Sequence, residues 1–106
     1  EYTRYLAEWC VPRGVRFLYA SSAAVYGDGS QGFSDDDRLT PRLKPLNAYG
    51  ESKLAFDNWA LESGLSRHIV GLRFFNVFGP NEYAKGPMIS GALRAYRQAR
   101  DAGAVR

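Results

Sequence analysis

Two short and almost wholly apolar segments constrain the fold more than any other feature of this sequence. One covers residues 15–20 and the other residues 69–77, and both are rich in side chains that favour β-strands. Gly14 precedes the first segment, and Gly79 and Pro80 follow the second. A strand that is apolar along its whole length is typical of a parallel sheet that helices cover on both faces.

Helical patterns flank and separate these segments. Apolar side chains recur at intervals of three and four over residues 2–10, and again from Asn47, a favourable cap residue, to about Ser63. We predict a last helix at residues 88–102. The order of elements indicates an α/β fold with a parallel sheet. Because two strands cannot make a stable sheet of this kind, we expect the chain to be a piece of a larger protein.

The composition excludes several classes of function. The net charge is only +3, with 14 basic and 11 acidic residues spread along the chain, so we expect no nucleic-acid partner. No run of 18 apolar residues occurs, so we expect no membrane span. The single cysteine, Cys10, favours a reducing, cytoplasmic location. We expect no metal site, because His68 lacks a partner at ligand spacing and residues 35–37 lack the spacing of a calcium loop.

Tyr49 and Lys53 stand four residues apart in the predicted second helix, so they project from one face. Free tyrosine has a pKa of about 10 and is a poor base near neutral pH, but a nearby lysine cation favours the phenolate form. Such a pair can take a proton from a substrate hydroxyl while hydride leaves the adjoining carbon. The same spacing also arises by chance, as a packed tyrosine beside a solvated lysine, so the neighbouring motifs decide between the two.

Polar side chains lie at the ends of both predicted strands. Ser21 and Ser22 follow the first strand, and Asn76 stands at the end of the second. In doubly wound sheets, ligands bind beyond the carboxyl ends of the strands. A serine in that place can hydrogen-bond a reacting oxygen, although small residues can also serve only to let strand and loop meet closely.

Three blocks of sequence carry a resemblance to a known family. Ser-Ser-Ala-Ala-Val-Tyr-Gly at 21–27, Asn-Ala-Tyr-Gly-Glu-Ser-Lys at 47–53 and Arg-Phe-Phe-Asn-Val-Phe-Gly-Pro at 73–80 resemble the extended short-chain dehydrogenase/reductase family. This family contains the nucleotide-sugar epimerases and dehydratases. The resemblance implies the carboxyl-terminal half of a Rossmann-type doubly wound parallel sheet, incomplete in this chain. It also implies that residues 1–106 form a partial dinucleotide-binding domain, running into a substrate-binding region after about residue 80.

Residues 81–88 narrow the resemblance. They are similar to the segment that supplies a second catalytic lysine, here Lys85, in the ADP-L-glycero-D-manno-heptose 6-epimerases of lipopolysaccharide heptose biosynthesis. Residues 17–24 also resemble that group more than the UDP-galactose 4-epimerases. Two positions depart from the pattern: Ala84 stands where the group commonly has histidine, and Pro87 where a relative has a substrate-binding serine. The alternative interpretation of Lys85 is a flexible surface cation.

The resemblance implies a role for each matched residue. Ser22 would hydrogen-bond the reacting oxygen or orient Tyr49. Tyr49 and Lys85 would be the two acid/base groups, and Lys53 would hold the nicotinamide ribose and tune Tyr49. Two further contacts are implied, of Asn76 with substrate and of Val77 with cofactor. Outside the resemblance, Arg94 belongs to a row of arginines typical of a solvated helix face, although it could reach a substrate diphosphate.

The activity implied is NADP-dependent epimerisation of ADP-glycero-manno-heptose at carbon 6, with NAD as the other possible cofactor. Hydride leaves carbon 6, the ketone turns over in the site, and hydride returns to its other face. Two bases on opposite sides of that carbon would explain Tyr49 together with Lys85. We expect the full-length protein to be a homo-oligomeric isomerase, and the 106 residues alone to be inactive.

Two alternatives stay open. One is another enzyme of the same family, a UDP-hexose 4-epimerase or a nucleotide-sugar 4,6-dehydratase. A dehydratase would need an acidic residue directly after its block serine, where this chain has Ala23. The other is a non-catalytic scaffold that binds dinucleotide, against which the intact set of Ser22, Tyr49 and Lys53 argues.

Overall fold

The computed structural model describes residues 2–105. In this range the strands β1 (Phe17–Ser22) and β2 (Ile69–Phe74) pair in parallel, with Phe17 opposite Ile69 and Ser22 opposite Phe74. The predicted order of elements and the predicted α/β class with a parallel sheet are therefore confirmed. The helices and strands are α1 (Tyr2–Cys10), β1 (Phe17–Ser22), α2 (Ala48–Glu62), β2 (Ile69–Phe74) and α3 (Gly91–Ala102).

The described residues divide into two compact units. The first ends at Phe75 and contains α1, α2 and both strands, and the second begins at Asn76 and contains α3. The start of a substrate-binding region after about residue 80 stays a prediction.

Local signals set both ends of α2 where the sequence predicts them. The Asn47 side chain accepts a hydrogen bond from the backbone N–H of Gly50 at 2.8 Å, which satisfies one of the free donors of the first turn. After Glu62 the chain reaches Gly64, whose φ of 73° is a left-handed conformation that glycine adopts without steric cost.

The strand boundaries differ from the prediction. β1 begins at Phe17 because the N–H of Val15 still donates to the carbonyl of Cys10, at 3.1 Å, and closes the preceding helical turns. β1 then continues to Ser22, which pairs with Phe74. Because Ser22 is the last residue of its partner strand, β2 ends at Phe74 and not at residue 77.

One face of the sheet is covered within the first unit. Tyr19, Ser21 and Arg73 lie on the face that α2 covers. α1 packs on the same side, with the Arg4 guanidinium 5.2 Å from the ring of Trp59 in α2. In this unit the helices therefore cover one face of the sheet, and the predicted doubly wound sheet is present only in part. The opposite face leaves its apolar side chains 41% to 58% exposed, at Leu18, Val70, Leu72 and Phe74.

The last helix begins three residues later than predicted, at Gly91. Residues Tyr83–Met88 instead form 3-10 turns, kinked where Gly86 adopts a φ of 54°. Ser90 then caps α3, because its hydroxyl oxygen accepts from the N–H of Leu93 at 3.2 Å.

Candidate active site

The first turn of α2 lies directly against the segment that follows β1. Gly50 is buried there, and a Cβ at this position would lie 2.7 Å from the carbonyl oxygen of Ala24, closer than real side chains approach. Glycine therefore permits the contact. It brings the turn that carries Tyr49 beside the turn that begins at Ser22. A buried apolar cluster supports this contact, made of Val25, Tyr26, Leu43 and Leu54.

Ser22 is the last residue of β1 and the cap of the short 3-10 helix Ala23–Tyr26. Its hydroxyl oxygen accepts a hydrogen bond from the N–H of Ala24 at 3.2 Å. A serine hydroxyl can donate one proton as well as accept, so its donor stays available for a ligand oxygen. Since Ser22 is only half-buried, a ligand can reach it.

Tyr49 and Lys53 project from one face of α2, as their spacing predicts. The Lys53 amine lies 5.6 Å from the centre of the Tyr49 ring and donates to the carbonyl of Ala20, in β1, at 3.0 Å. An ammonium group has three donors, so two remain for other acceptors. Tyr49 is 57% exposed, and its hydroxyl makes no hydrogen bond to any residue of the range 2–105.

These groups fit a ribose-bearing cofactor. The Lys53 amine lies near the carboxyl end of β1, the edge at which doubly wound sheets bind nucleotides, and Tyr49 stands on the same face of α2 with its hydroxyl open. Their donors suit the hydroxyls of a ribose. The structure therefore brings Tyr49 and Lys53 together, and it places their helix against the turn that begins at Ser22.

The other predicted site residues lie in the second unit. Asn76 and Val77 are exposed, and Val77 lies outside β2, in which the sequence predicted it. Lys85 is half-exposed, with its amine 3.8 Å from the Glu82 carboxylate. Arg94 is exposed and donates to the carbonyl of Pro87 at 3.1 Å, within the same unit. The grouping of these side chains with those of the first unit stays a prediction.

Sequence reasoning missed the most heavily bonded side chain of α2, Asp57. Its carboxylate is 5% exposed and accepts from the hydroxyls of Tyr19 and Ser21, at 2.8 and 2.9 Å, and from the Arg73 Nε at 3.2 Å. Burial, together with the neighbouring Asp57 carboxylate, raises the pKa of Tyr19 above its ordinary value. Asp57 therefore joins α2 to both strands.

Arg73 extends this network to the loop before α2. Its Nη2 donates to the Thr40 hydroxyl at 2.8 Å and its Nη1 to the Tyr26 hydroxyl at 3.3 Å. Burial disfavours the guanidinium charge, but the bond to Tyr26 and the Asp57 carboxylate outweigh it and raise the pKa of Arg73. One signal could have revealed the network: Asp57 continues the four-residue spacing of the tyrosine and lysine in α2.

Two features are absent from residues 2–105. None of the helices in that range is both long and apolar enough to cross a membrane. The same residues contain no cluster of three or more His, Cys, Asp or Glu side chains able to hold a metal ion.

The chain is similar to known proteins along its whole length. A family model described as the NAD dependent epimerase/dehydratase family matches residues 1–104. The ADP-L-glycero-D-manno-heptose-6-epimerase of Nitratidesulfovibrio vulgaris is 56% identical over 106 residues, which are 100% of this chain and 33% of that protein. The protein of the same name from Alkalilimnicola ehrlichii is 48% identical over 108 residues, 100% of this chain and 32% of that one.

A solved structure is similar as well. The crystal structure of Helicobacter pylori ADP-L-glycero-D-manno-heptose-6-epimerase matches with a TM-score of 0.74 and 34% identity, over 94% of this chain and 31% of that one. The likeness supports the Rossmann-type fold predicted above. The chain spans about a third of the length of the curated relatives it matches. The family match extends over almost every residue, and the chain therefore belongs to the NAD-dependent epimerase/dehydratase family.

Proposed function

We propose that the full-length protein is an isomerase that epimerises ADP-glycero-manno-heptose at carbon 6 by transient oxidation, with NADP or NAD bound. One observation carries the proposal: the Lys53 amine donates to the carbonyl of Ala20 in β1 and lies 5.6 Å from the centre of the Tyr49 ring. Relatives named as heptose epimerases, at 41% to 56% identity, support the choice of sugar.

The three side chains of the first unit divide the proton chemistry between them. Tyr49 takes the proton of the substrate hydroxyl as the carbon is oxidised. The Lys53 ammonium is held by the Ala20 carbonyl, and its charge stabilises the phenolate form in which Tyr49 can accept that proton. Ser22 donates a hydrogen bond to the reacting oxygen, its orientation fixed by the bond from Ala24.

When bound, the nicotinamide dinucleotide supplies a reversible hydride acceptor. Lys53 would hold its ribose with the two donors that the Ala20 carbonyl leaves free. Val77, 64% exposed, would lie against it through its apolar side chain. Asn76 would contact the sugar, and Arg94 would bind the diphosphate of the substrate through its guanidinium.

Each half of the reaction moves one proton at the oxygen of carbon 6, and the ketone turns over in the site between the two halves. The oxygen can therefore face a different acid/base group in each half. Tyr49 serves one face in this proposal and Lys85 serves the other. The half-exposed amine of Lys85 leaves it accessible to a ligand.

The test is turnover of a panel of nucleotide sugars by the full-length protein. We expect interconversion of the two ADP-heptose epimers at carbon 6, observed by NMR, and no reaction of UDP-glucose. Turnover of the UDP-hexose alone would favour a 4-epimerase, loss of water would favour a dehydratase, and no turnover would favour a scaffold. Any of these three outcomes would contradict the proposal.

A matched pair of variants then tests the assignment of the base. Tyr49→Phe should lower kcat by roughly 100-fold or more, because a positioned acid/base group contributes about that factor. Tyr2→Phe makes the same chemical change at an exposed position of α1 and should leave kcat unaltered. Wild-type turnover by Tyr49→Phe would overturn the role of Tyr49.

A further inference from the structure

Glu82 is a buried carboxylate that closes the segment in which Lys85 lies. The residue is 4% exposed. Its Oε1 accepts from the N–H of Gly79 at 2.8 Å and from the Ser90 hydroxyl at 3.0 Å, and its Oε2 accepts from the N–H of Ser90 at 2.7 Å. One side chain therefore joins the two ends of residues 79–90, a segment we call the lysine loop.

These bonds keep the carboxylate ionised. The N–H groups of Ser90 and Gly79 hold the pKa of Glu82 below its usual range, with smaller contributions from the Ser90 hydroxyl and the Lys85 charge, and burial opposes them. A charge this well buried is tolerated only when hydrogen bonds replace its lost hydration. The conformation of the lysine loop and the burial of Glu82 therefore depend on each other.

Lys85 is held mainly through the backbone of this loop. Its amine lies 3.8 Å from the Glu82 carboxylate and its side chain is 49% exposed, and an ion pair of that kind contributes little. Its backbone N–H, however, donates to the Glu82 carbonyl at 3.0 Å, within the turns Tyr83–Met88. The position of the lysine is thus set by the residue that closes the loop.

The same carboxylate reaches the start of α3. Ser90, which donates to Glu82 twice, also caps α3 by accepting from the N–H of Leu93. Arg94, one turn further, donates back to the carbonyl of Pro87 in the loop. Both cations of the second unit that the proposed function employs, Lys85 and Arg94, are therefore coupled to Glu82.

We propose that Glu82 is the positioning residue for Lys85. By closing the lysine loop it holds the amine where it serves one face of the reacting carbon, and it contacts no reacting atom itself. This inference rests on the proposed function, in which Lys85 is the second acid/base group.

The test measures the first turnover of the full-length holoenzyme with each heptose epimer as substrate, because each epimer presents a different face of the reacting carbon. Because the equilibrium constant between the two epimers is fixed, a substitution must change kcat/KM by the same factor in both directions. A defect that affects only one epimer can therefore be observed only in the oxidation half-reaction. Cofactor reduction is followed separately with each heptose epimer in Lys85→Met, Glu82→Ala and the isosteric Glu82→Gln. Asp101→Asn, which alters an exposed carboxylate of α3, is the control.

We expect Lys85→Met to slow oxidation of one epimer only. Glu82→Ala should slow the same epimer by roughly ten- to hundredfold, since small misplacements of a reacting group cost factors of that size, and leave the other epimer nearly unaltered. Glu82→Gln should lie between Glu82→Ala and wild type, because its amide keeps one acceptor oxygen. The Asp101 control should match wild type with both epimers.

Hydrogen exchange supplies a readout that is independent of activity. The amide protons of Gly79 and Ser90 should exchange faster in both Glu82 variants and at the wild-type rate in Lys85→Met. Unaltered exchange would overturn the closure of the loop.

The outcomes distinguish the inference from the function on which it rests. If Lys85→Met oxidises both epimers like wild type, the two-base proposal fails and the positioning role fails with it. If Lys85→Met slows the oxidation of one epimer only, but the Glu82 variants slow both epimers equally or slow neither of them, only the positioning role of Glu82 is overturned. Should Glu82→Ala not fold, Glu82→Gln decides between these outcomes.

Discussion

Two carboxylates of this chain are almost equally buried, Asp57 at 5% exposure and Glu82 at 4%, but their partners differ. Asp57 accepts from side chains that lie 16 to 38 residues away in sequence, on the two strands. Glu82 accepts from groups only 3 and 8 residues away, two of them backbone N–H groups. One carboxylate connects elements that are distant in sequence, and the other closes a single loop.

The difference teaches what each buried charge does. Asp57 fixes α2 on the sheet, and with it the helix face that carries Tyr49 and Lys53. Glu82 shapes a local segment around Lys85 within the second unit. Two equally buried carboxylates can therefore have different roles. Asp57, whose partners are distant in sequence, stabilises the fold, whereas Glu82, whose partners are close in sequence, is proposed to position a side chain.

The largest expected effect is that of Asp57→Ala on stability. The change leaves the Arg73 guanidinium, 15% exposed, without its carboxylate, and removes the acceptor of the Tyr19 and Ser21 hydroxyls. We expect the free energy of unfolding of the full-length protein to fall by roughly 3–5 kcal/mol, measured by chemical denaturation. Glu62→Ala, at the exposed end of α2, should change it by less than about 0.5 kcal/mol. Equal losses in the two variants would contradict the structural role of Asp57.

The two regions should also respond at opposite ends of the pH scale. Burial and Asp57 raise the pKa of Tyr19 above its ordinary 10.0, so the unfolded chain loses this proton first. Its contribution to stability is complete below about pH 10 and declines as the pH rises further. Above that pH, the denaturation midpoint should decline less steeply in Tyr19→Phe than in wild type. Equally steep declines in the two proteins would contradict the contribution of Tyr19.

Glu82 should lose its contribution to the stability of the loop at acid pH. Its pKa is lowered from 4.5 by the N–H groups of Ser90 and Gly79, so its contribution is present above that pH and is lost as the pH falls through the folded value. Exchange protection of the Ser90 amide should therefore weaken on acidification in wild type and stay weak throughout in Glu82→Gln. Acid-independent protection in wild type would contradict the loop closure.

The sequence predicted the elements whose signals are local. Asn47 and Gly64 mark both ends of α2, and the spacing of Tyr49 and Lys53 places them on one face. The sequence did not predict the strand ends, because these depend on the partner strand. β2 ends at Phe74 because its partner in β1, Ser22, is the last residue of that strand.

The buried carboxylates escaped prediction for related reasons. Asp57 is buried because the parallel register brings Arg73 beside Ser21, and residue types alone do not give a register. The bonds of Glu82 go chiefly to backbone N–H groups, which every residue but proline possesses. The partners of Glu82 therefore do not distinguish it from a solvated acid along the sequence.

The proposed chemistry requires that one hydrogen leave carbon 6 of the heptose and return to the same carbon on its other face. The most direct measurement follows deuterium placed at carbon 6 through turnover by the full-length protein in ordinary water. A hydride route assisted by Tyr49, Lys53 and Ser22 predicts that the epimerised product keeps its deuterium, because hydride does not exchange with solvent. Replacement of the deuterium by solvent hydrogen would contradict it, since the carbon would then be epimerised by deprotonation.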